Sequence, residues 1–209
     1  MYKSFLTLRV YFYCIFICML TTCVSKNKKE LPVTAPSTTV VENLQSKLSV
    51  MGARNWIVIS EAAFPIQNIK GLEVFPVEGD IPEVLALVEE AIEETHHVKP
   101  RIYVTSEINH VDYDHAPDVK RYRLDLKAAL QSRQVVTLDH DLLLEVLKSA
   151  SKDYRVLVVK TEMALPYASV FLELGSGYWD RESETFLRDA MEKKQKVSVE
   201  ESGSNDLSN

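Results

Sequence analysis

The chain has 209 residues with 24 Lys and Arg against 30 Asp and Glu, a net charge of −6, and three cysteines. Lys3 and Arg9 are the only basic residues before Lys26, and no acid precedes Glu30; without those two the balance is 22 basic to 30 acidic, a net −8. That excess of acid, with no basic stripe, excludes a nucleic-acid phosphate footprint.

Residues 1–22 are expected to be an address and not part of the fold. The basic start is followed by an unbroken apolar run of 11 residues, Val10 to Leu20. Such a run is too short for a mature membrane span and fits the apolar core of a signal peptide. Leu20-Thr-Thr-Cys23 then resembles a bacterial lipobox, which implies lipidation at Cys23 and a protein anchored in a bacterial cell envelope, facing the periplasm or the cell surface. Thr22 stands where Gly, Ala or Ser is usual. Cys14 and Cys18 would leave with the signal, so Cys23 would be the sole remaining cysteine and no intramolecular disulfide or thiolate metal site follows. Residues 23–40, rich in Lys, Pro, Ser and Thr, read as a tether. Residues 41–194 read as one domain, of which about 47–191 supply roughly 145 positions able to bury a core, and 195–209 as a frayed polar tail.

Within the domain, a helix over 42–51 is expected to close at Gly52 as its left-handed C-terminal residue. Apolar β-rich runs predict strands at 56–60, 101–105, 134–138, 155–160 and 169–174, and several are continuously apolar, as where both faces of a sheet are covered. Leu72 to Val77 alternates but carries Pro76, so it reads as an edge strand or a loop. Asp80-Ile-Pro-Glu83 has the pattern of a capping box with proline in the first turn. Val84, Leu85, Val88, Ile92 and Thr95 then share one face, with Glu89, Glu90, Glu93 and Glu94 on the solvated one. His96 and His97 would complement that helix's dipole. Further helices are expected over 118–132, 141–151 and 181–193, the last N-capped by Asp180 after a Gly175-Ser-Gly177 turn. The fold class is α/β, a mixed or mostly parallel sheet flanked by helices.

Ligands in such sheets gather in loops beyond the strand ends. Two loops stand out: Glu61 to Pro65 after the strand 56–60, and Glu162 to Tyr167 after the strand 155–160. The first lies in Gly52-Ala-Arg-Asn, Trp56 to Ser60, then Glu61-Ala-Ala-Phe-Pro65. This resembles the ribose pyranase/fucose mutarotase family (RbsD/FucU) pattern Gly-His-x-Asp, a strand, then Asp-Ala-x-x-Pro. The second, Glu162 with Pro166-Tyr-Ala-Ser169, resembles the family's Glu-x-x-Pro-Tyr-x-Asn with one extra residue. His140-Asp-Leu-Leu resembles its histidine at a helix start. The resemblance covers roughly residues 45–175 and implies an RbsD-like fold.

It further implies a monosaccharide ligand, ring opening without metal or organic cofactor, and a homo-oligomer, a ring or decamer whose sites are completed by neighbouring subunits. Ring opening needs one proton delivered to the ring oxygen and one removed from the anomeric hydroxyl, work suited to a histidine near neutrality. The chain departs from the family at Ala53, where the catalytic histidine would stand, at Glu61 for an aspartate, and at Ser169 for an asparagine. The proton work therefore falls to His140 and Glu61, with Tyr167 as a further candidate. Arg54, Tyr167, Ser169 and Glu162 are the expected sugar contacts. The alternative is a sugar-binding lipoprotein without catalysis. A third reading, a metal-assisted hydrolase, would use Glu107-Ile-Asn-His110-Val-Asp112-Tyr-Asp114-His115, whose donors suit a divalent ion but whose spacing matches no strong metal signature; contact with the sugar or a neighbouring subunit suits this loop better.

Overall fold

The computed structural model describes residues 38–205 except Ile69 and Ser132, with side chains described over 40–196. The signal segment, Cys23 and most of the expected tether lie outside the described residues. Among those described, no helix is long and apolar enough to cross a membrane.

The elements follow the order α1 (Thr38–Leu48), β1 (Trp56–Ser60), β2 (Leu72–Pro76), α2 (Ile81–Thr95), β3 (Val98–Thr105), a 3₁₀ turn (Glu107–Asn109), α3 (Val119–Leu130), β4 (Val135–Leu138), α4 (His140–Asp153), β5 (Val156–Lys160), β6 (Val170–Ser176) and α5 (Arg181–Asn205). One six-stranded sheet has the order β2-β5-β1-β6-β3-β4. It is mixed: β6 runs antiparallel to both β1 and β3, while the other pairings are parallel. The strand containing Pro76 is an edge strand, with the proline at its last position, where a missing N–H does least harm.

All five residues of β1 are buried because both faces of the sheet are covered. Ile57 and Ile59 face one core with Leu157, Val159 and Leu172, shared with Leu44 of α1, Leu85 of α2 and Tyr122 of α3. Trp56 and Val58 face the other, where Phe171, Leu143 and Leu147 bring in α4. A fully buried side chain of this size stabilises by about 1.5–3 kcal/mol, so the two-sided strands carry much of the fold's apolar gain.

Several boundaries differ from the sequence reading. Helix α1 starts at Thr38, inside the expected tether, and ends at Leu48, before Gly52. The left-handed residue in the loop that follows is Arg54, at φ 70°, and not Gly52. Tertiary bonds hold it there: its N–H donates to Leu174 O at 2.7 Å and its guanidinium to the Tyr154 hydroxyl at 2.9 Å. Gly175 and Ser176 belong to β6 and not to a turn, since Ser176 pairs with Val98. Glu89, expected on a solvated face, is buried and pairs with Arg133 at 2.8 Å. Burial raises its pKa, against the pull of Arg133. Helix α5 continues to Asn205 through residues read as a tail.

The helix ends are closed by recognisable chemistry. Glu83 accepts the Asp80 N–H at 3.4 Å, as a capping box requires. Asp139 Oδ1 accepts from Asp141 and Leu142 N–H at the head of α4. At the end of α2, His96 is left-handed, and the His97 ring lies between two carbonyls, Thr95 O at 2.9 Å and Met51 O at 2.8 Å. Those two acceptors raise its pKa, Thr95 more than Met51.

Two glycines give a contrast that can be measured. A Cβ on Gly71 would sit 2.5 Å from Ser151 O and 2.7 Å from Tyr154 O, whereas one on Gly52 would meet nothing within 4 Å. Gly71→Ala is expected to destabilise by about 1–3 kcal/mol through overpacking against rigid backbone. Gly52→Ala should stay within about 0.5 kcal/mol of the parent. Urea denaturation of both variants checks this, and equal midpoints would refute it.

Candidate functional site

The antiparallel course of β6 places its first end beside the last ends of β1 and β3. Val170 pairs with Ile59 on one side and Val104 on the other. The loop entering β6, Pro166 to Ser169, is thereby delivered to the carboxyl ends of the parallel strands. Glu61 leaves β1 there, Thr105 ends β3 there, and His140 begins α4 directly after β4.

Glu61 and Ser169 are buried and bonded reciprocally. The Ser169 hydroxyl donates to the Glu61 carboxylate, and the Glu61 N–H donates to Ser169 Oγ at 3.3 Å. Burial raises the Glu61 pKa, and the backbone bond, the nearby His140 and Lys160 only partly oppose it. The carboxyl therefore holds its proton to higher pH than an ordinary glutamate.

His140 meets the Tyr167 ring edge-on, at 5.3 Å between centroids. Its backbone N–H donates to Glu107 Oε1 at 2.9 Å, so the 3₁₀ turn anchors the start of α4. Its Nδ1 is buried with no hydrogen-bond partner among the described residues. Buried polar atoms are normally satisfied, so this nitrogen is an unmet hydrogen-bonding group on a ring that packs against Tyr167.

Tyr167 is held at φ 59°, a conformation costing a bulky residue about 1–2 kcal/mol. Two hydroxyls from other elements pin the loop in it. Thr105 donates to Tyr167 O at 2.8 Å, and Tyr122 of α3 donates to Ala168 O. Burial, then the charge of Glu61, raises the Tyr122 pKa, so this hydroxyl remains a donor. Strain retained by surrounding structure is characteristic of ligand sites.

Of the expected site residues, the structure gathers Glu61, His140, Tyr167 and Ser169 at one end of the sheet. Arg54 lies at the other, before β1, five strand residues and roughly 16 Å away at about 3.3 Å per residue; Ala53 precedes it in sequence. Within one chain these two do not join the cluster. Glu162 is exposed and lines a neighbouring open cleft of about 570 Å³ with Asp118, Arg121, Tyr122 and Leu165. Sequence reasoning assigned nothing to Thr105 and Tyr122, and read Glu107 as part of a loop suited to a metal, a sugar or a neighbouring subunit, not as an anchor for α4. Tyr122 sits on the apolar repeat Val119, Tyr122, Leu126, Leu130, where a core role hides its hydroxyl. The Glu107–His115 loop does not assemble as a metal site: His110, Asp112, Asp114 and His115 are exposed, and among the described residues no three His, Cys, Asp or Glu side chains gather.

A six-stranded mixed sheet with helices on both faces and a polar cluster at one end defines an α/β protein with a strand-end ligand site. Residues 36–176 match the model of the RbsD / FucU transport protein family, and the chain belongs to that family. Among solved structures it is similar to Bacillus subtilis RbsD complexed with D-ribose, at 18% identity over 64% of this chain and 91% of that one, TM-score 0.46. It is also similar to the Streptococcus pneumoniae fucose mutarotase in complex with L-fucose, at 19% over 68% and 98%, TM-score 0.46. The third is FucU from Bifidobacterium longum, at 20% over 64% and 94%, TM-score 0.43. No curated protein matches the chain.

Two substitutions probe the site's construction. Thr105→Val removes the bond to Tyr167 O and is expected to destabilise by about 1 kcal/mol, read by denaturant melts; an unchanged melt would show that the loop is held otherwise. Glu61→Gln tests the buried carboxyl. Its folded pKa lies above the unfolded one, so its stability is full below the ordinary glutamate range and is lost as pH rises through the folded value. Glu61→Gln should therefore melt higher than the parent near neutrality, the gap closing in acid. A gap independent of pH between 4 and 8 would contradict this.

Proposed function

We propose that this chain binds a free monosaccharide at the Glu61–His140–Tyr167 cluster and interconverts its ring forms. The observation that carries the reading is the gathering, at one end of the sheet, of His140 with its unpartnered Nδ1, the buried Glu61–Ser169 pair and the Tyr167 ring, with burial raising the Glu61 pKa. Glu61 delivers a proton to the ring oxygen while His140 takes one from the anomeric hydroxyl. The ring C–O bond breaks, the open-chain carbonyl forms and rotates, and closure on its other face returns both protons. No redox change or added group is needed, so the side chains suffice. Tyr167 offers its ring and hydroxyl to the sugar, while Ser169 and Glu107 hold the proton carriers in place. Family membership supports a sugar as ligand, as do the D-ribose and L-fucose complexes of the two similar structures.

A second reading has its own observation: Ala53 stands where the family pattern has histidine, and a chain that lost its catalyst could keep its pocket. Saturation-exchange NMR with ribose, fucose, galactose and glucose separates the two. Catalysis predicts faster exchange between ring forms than in buffer, lowered about 10²–10⁴-fold by His140→Ala or Glu61→Gln. Line broadening by the parent without faster exchange, with exchange gained on Ala53→His, would establish the binding reading and overturn the catalytic one.

We also propose that residues 1–22 are removed, that Cys23 carries the lipid anchor, and that the protein is a homo-oligomer at the bacterial cell envelope. The basic start, the apolar run Val10 to Leu20 and the lipobox-like Leu20-Thr-Thr-Cys23 support the anchor. Cys23→Ala should move the protein from the membrane to the soluble fraction, and mass spectrometry of the native N-terminal peptide should show a diacylglyceryl cysteine. An unmodified Cys23 in mature protein would dismiss the anchor.

A further inference from the structure

Helix α5 lies beyond the family match, which ends at residue 176. Its start is well defined. Asp180 Oδ1 accepts the Ser183 N–H at 2.8 Å, the Trp179 indole donates to Glu184 at 2.8 Å, and Arg188 pairs with Glu184 at 2.6 Å. Yet over Arg181 to Lys196 no side chain is buried. Helices in proteins owe most of their stability to packing an apolar face, and this one has such a face left open. At about 100° per residue, Leu187, Ala190 and Met191 fall on one side, with Phe186 on its flank. Phe186 is 75% exposed and Met191 53%.

We propose that α5 packs antiparallel against α5 of a second copy of this chain, across Phe186, Leu187, Ala190 and Met191. Charge selects both the partner and the direction. The first turn carries Glu182 and Glu184 against Arg181, and residues 192–196 carry Lys193, Lys194 and Lys196 against Glu192, so the two ends of this stretch hold opposite excesses. Lys194, one heptad after Leu187, lies on the apolar side. With Leu187 set opposite Ala190 of the other copy, Lys194 falls beside that copy's Ser183 and Glu184. A parallel pair would instead set Lys194 against Lys194. The antiparallel arrangement has a two-fold axis, so each favourable contact occurs twice.

The test mixes ¹⁵N-labelled and unlabelled full-length protein in detergent and applies a carbodiimide, which joins carboxylates to amines without a spacer. Glu184 and Lys194 are ten residues apart, about 15 Å along one helix, so an amide between them must join two chains. The expected result is a mixed-isotope Glu184–Lys194 peptide, lost in Leu187→Glu/Met191→Glu. That double variant should also halve the particle mass in native mass spectrometry while keeping the parent's sheet signal in circular dichroism. No mixed-isotope link, or a particle mass unmoved by the double variant, would overturn the proposal.

Discussion

The reversal of β6 organises the molecule. In a sheet otherwise built from parallel pairs, it is inserted between β1 and β3 and bonds antiparallel to both. A parallel strand in that slot would place its leading loop at the opposite end of the sheet. Because β6 is turned round, the residues that lead into it meet those that leave β1 and β3. The reciprocal Glu61–Ser169 bonds, the Thr105 bond to Tyr167 O and the Tyr122 bond to Ala168 O all cross this junction.

Two opposing demands meet at the same place. Glu61 is buried at the end of β1, while the loop from Pro166 to Ser169 holds its backbone groups in donated bonds. Burial alone would make the carboxyl inert; the hydroxyl of Ser169 gives it a polar neighbour, and nearby His140 partly offsets the rise of its pKa. The left-handed Tyr167 then stands partly exposed above them, the only member of the cluster with ready access to solvent.

Much of this was legible in the chain. The continuous apolar runs marked the two-sided strands, Pro76 marked an edge, and Asp80 and Asp180 marked helix starts through short-range hydrogen bonding. The two loop motifs drew attention to Glu61, Tyr167 and Ser169 beside strand ends, and the family resemblance to His140 at a helix start. What local pattern could not convey was pairing direction. The sheet's mixed character fixes which strand ends coincide, and hence that the loop entering β6 meets the residues leaving β1 and β3. Nor could it show hydroxyl bonds from core positions such as Tyr122, or the ion pair that draws Glu89 inside, since each depends on an element remote in sequence. Gly52 misled for the opposite reason: tertiary bonds to Leu174 and Tyr154 impose the left-handed turn on Arg54, against its intrinsic preference.

His97 joins the ends of the first two long helical segments by standing between two carbonyl oxygens. A neutral imidazole has a single N–H and can satisfy just one of them; only the doubly protonated ring satisfies both. The join is therefore twofold in mild acid and single once the ring loses its proton, its strength counted in protons and not in contacts. Ring ¹⁵N shifts followed through a pH titration would register that change at this one residue, and shifts showing a single N–H throughout would rule it out.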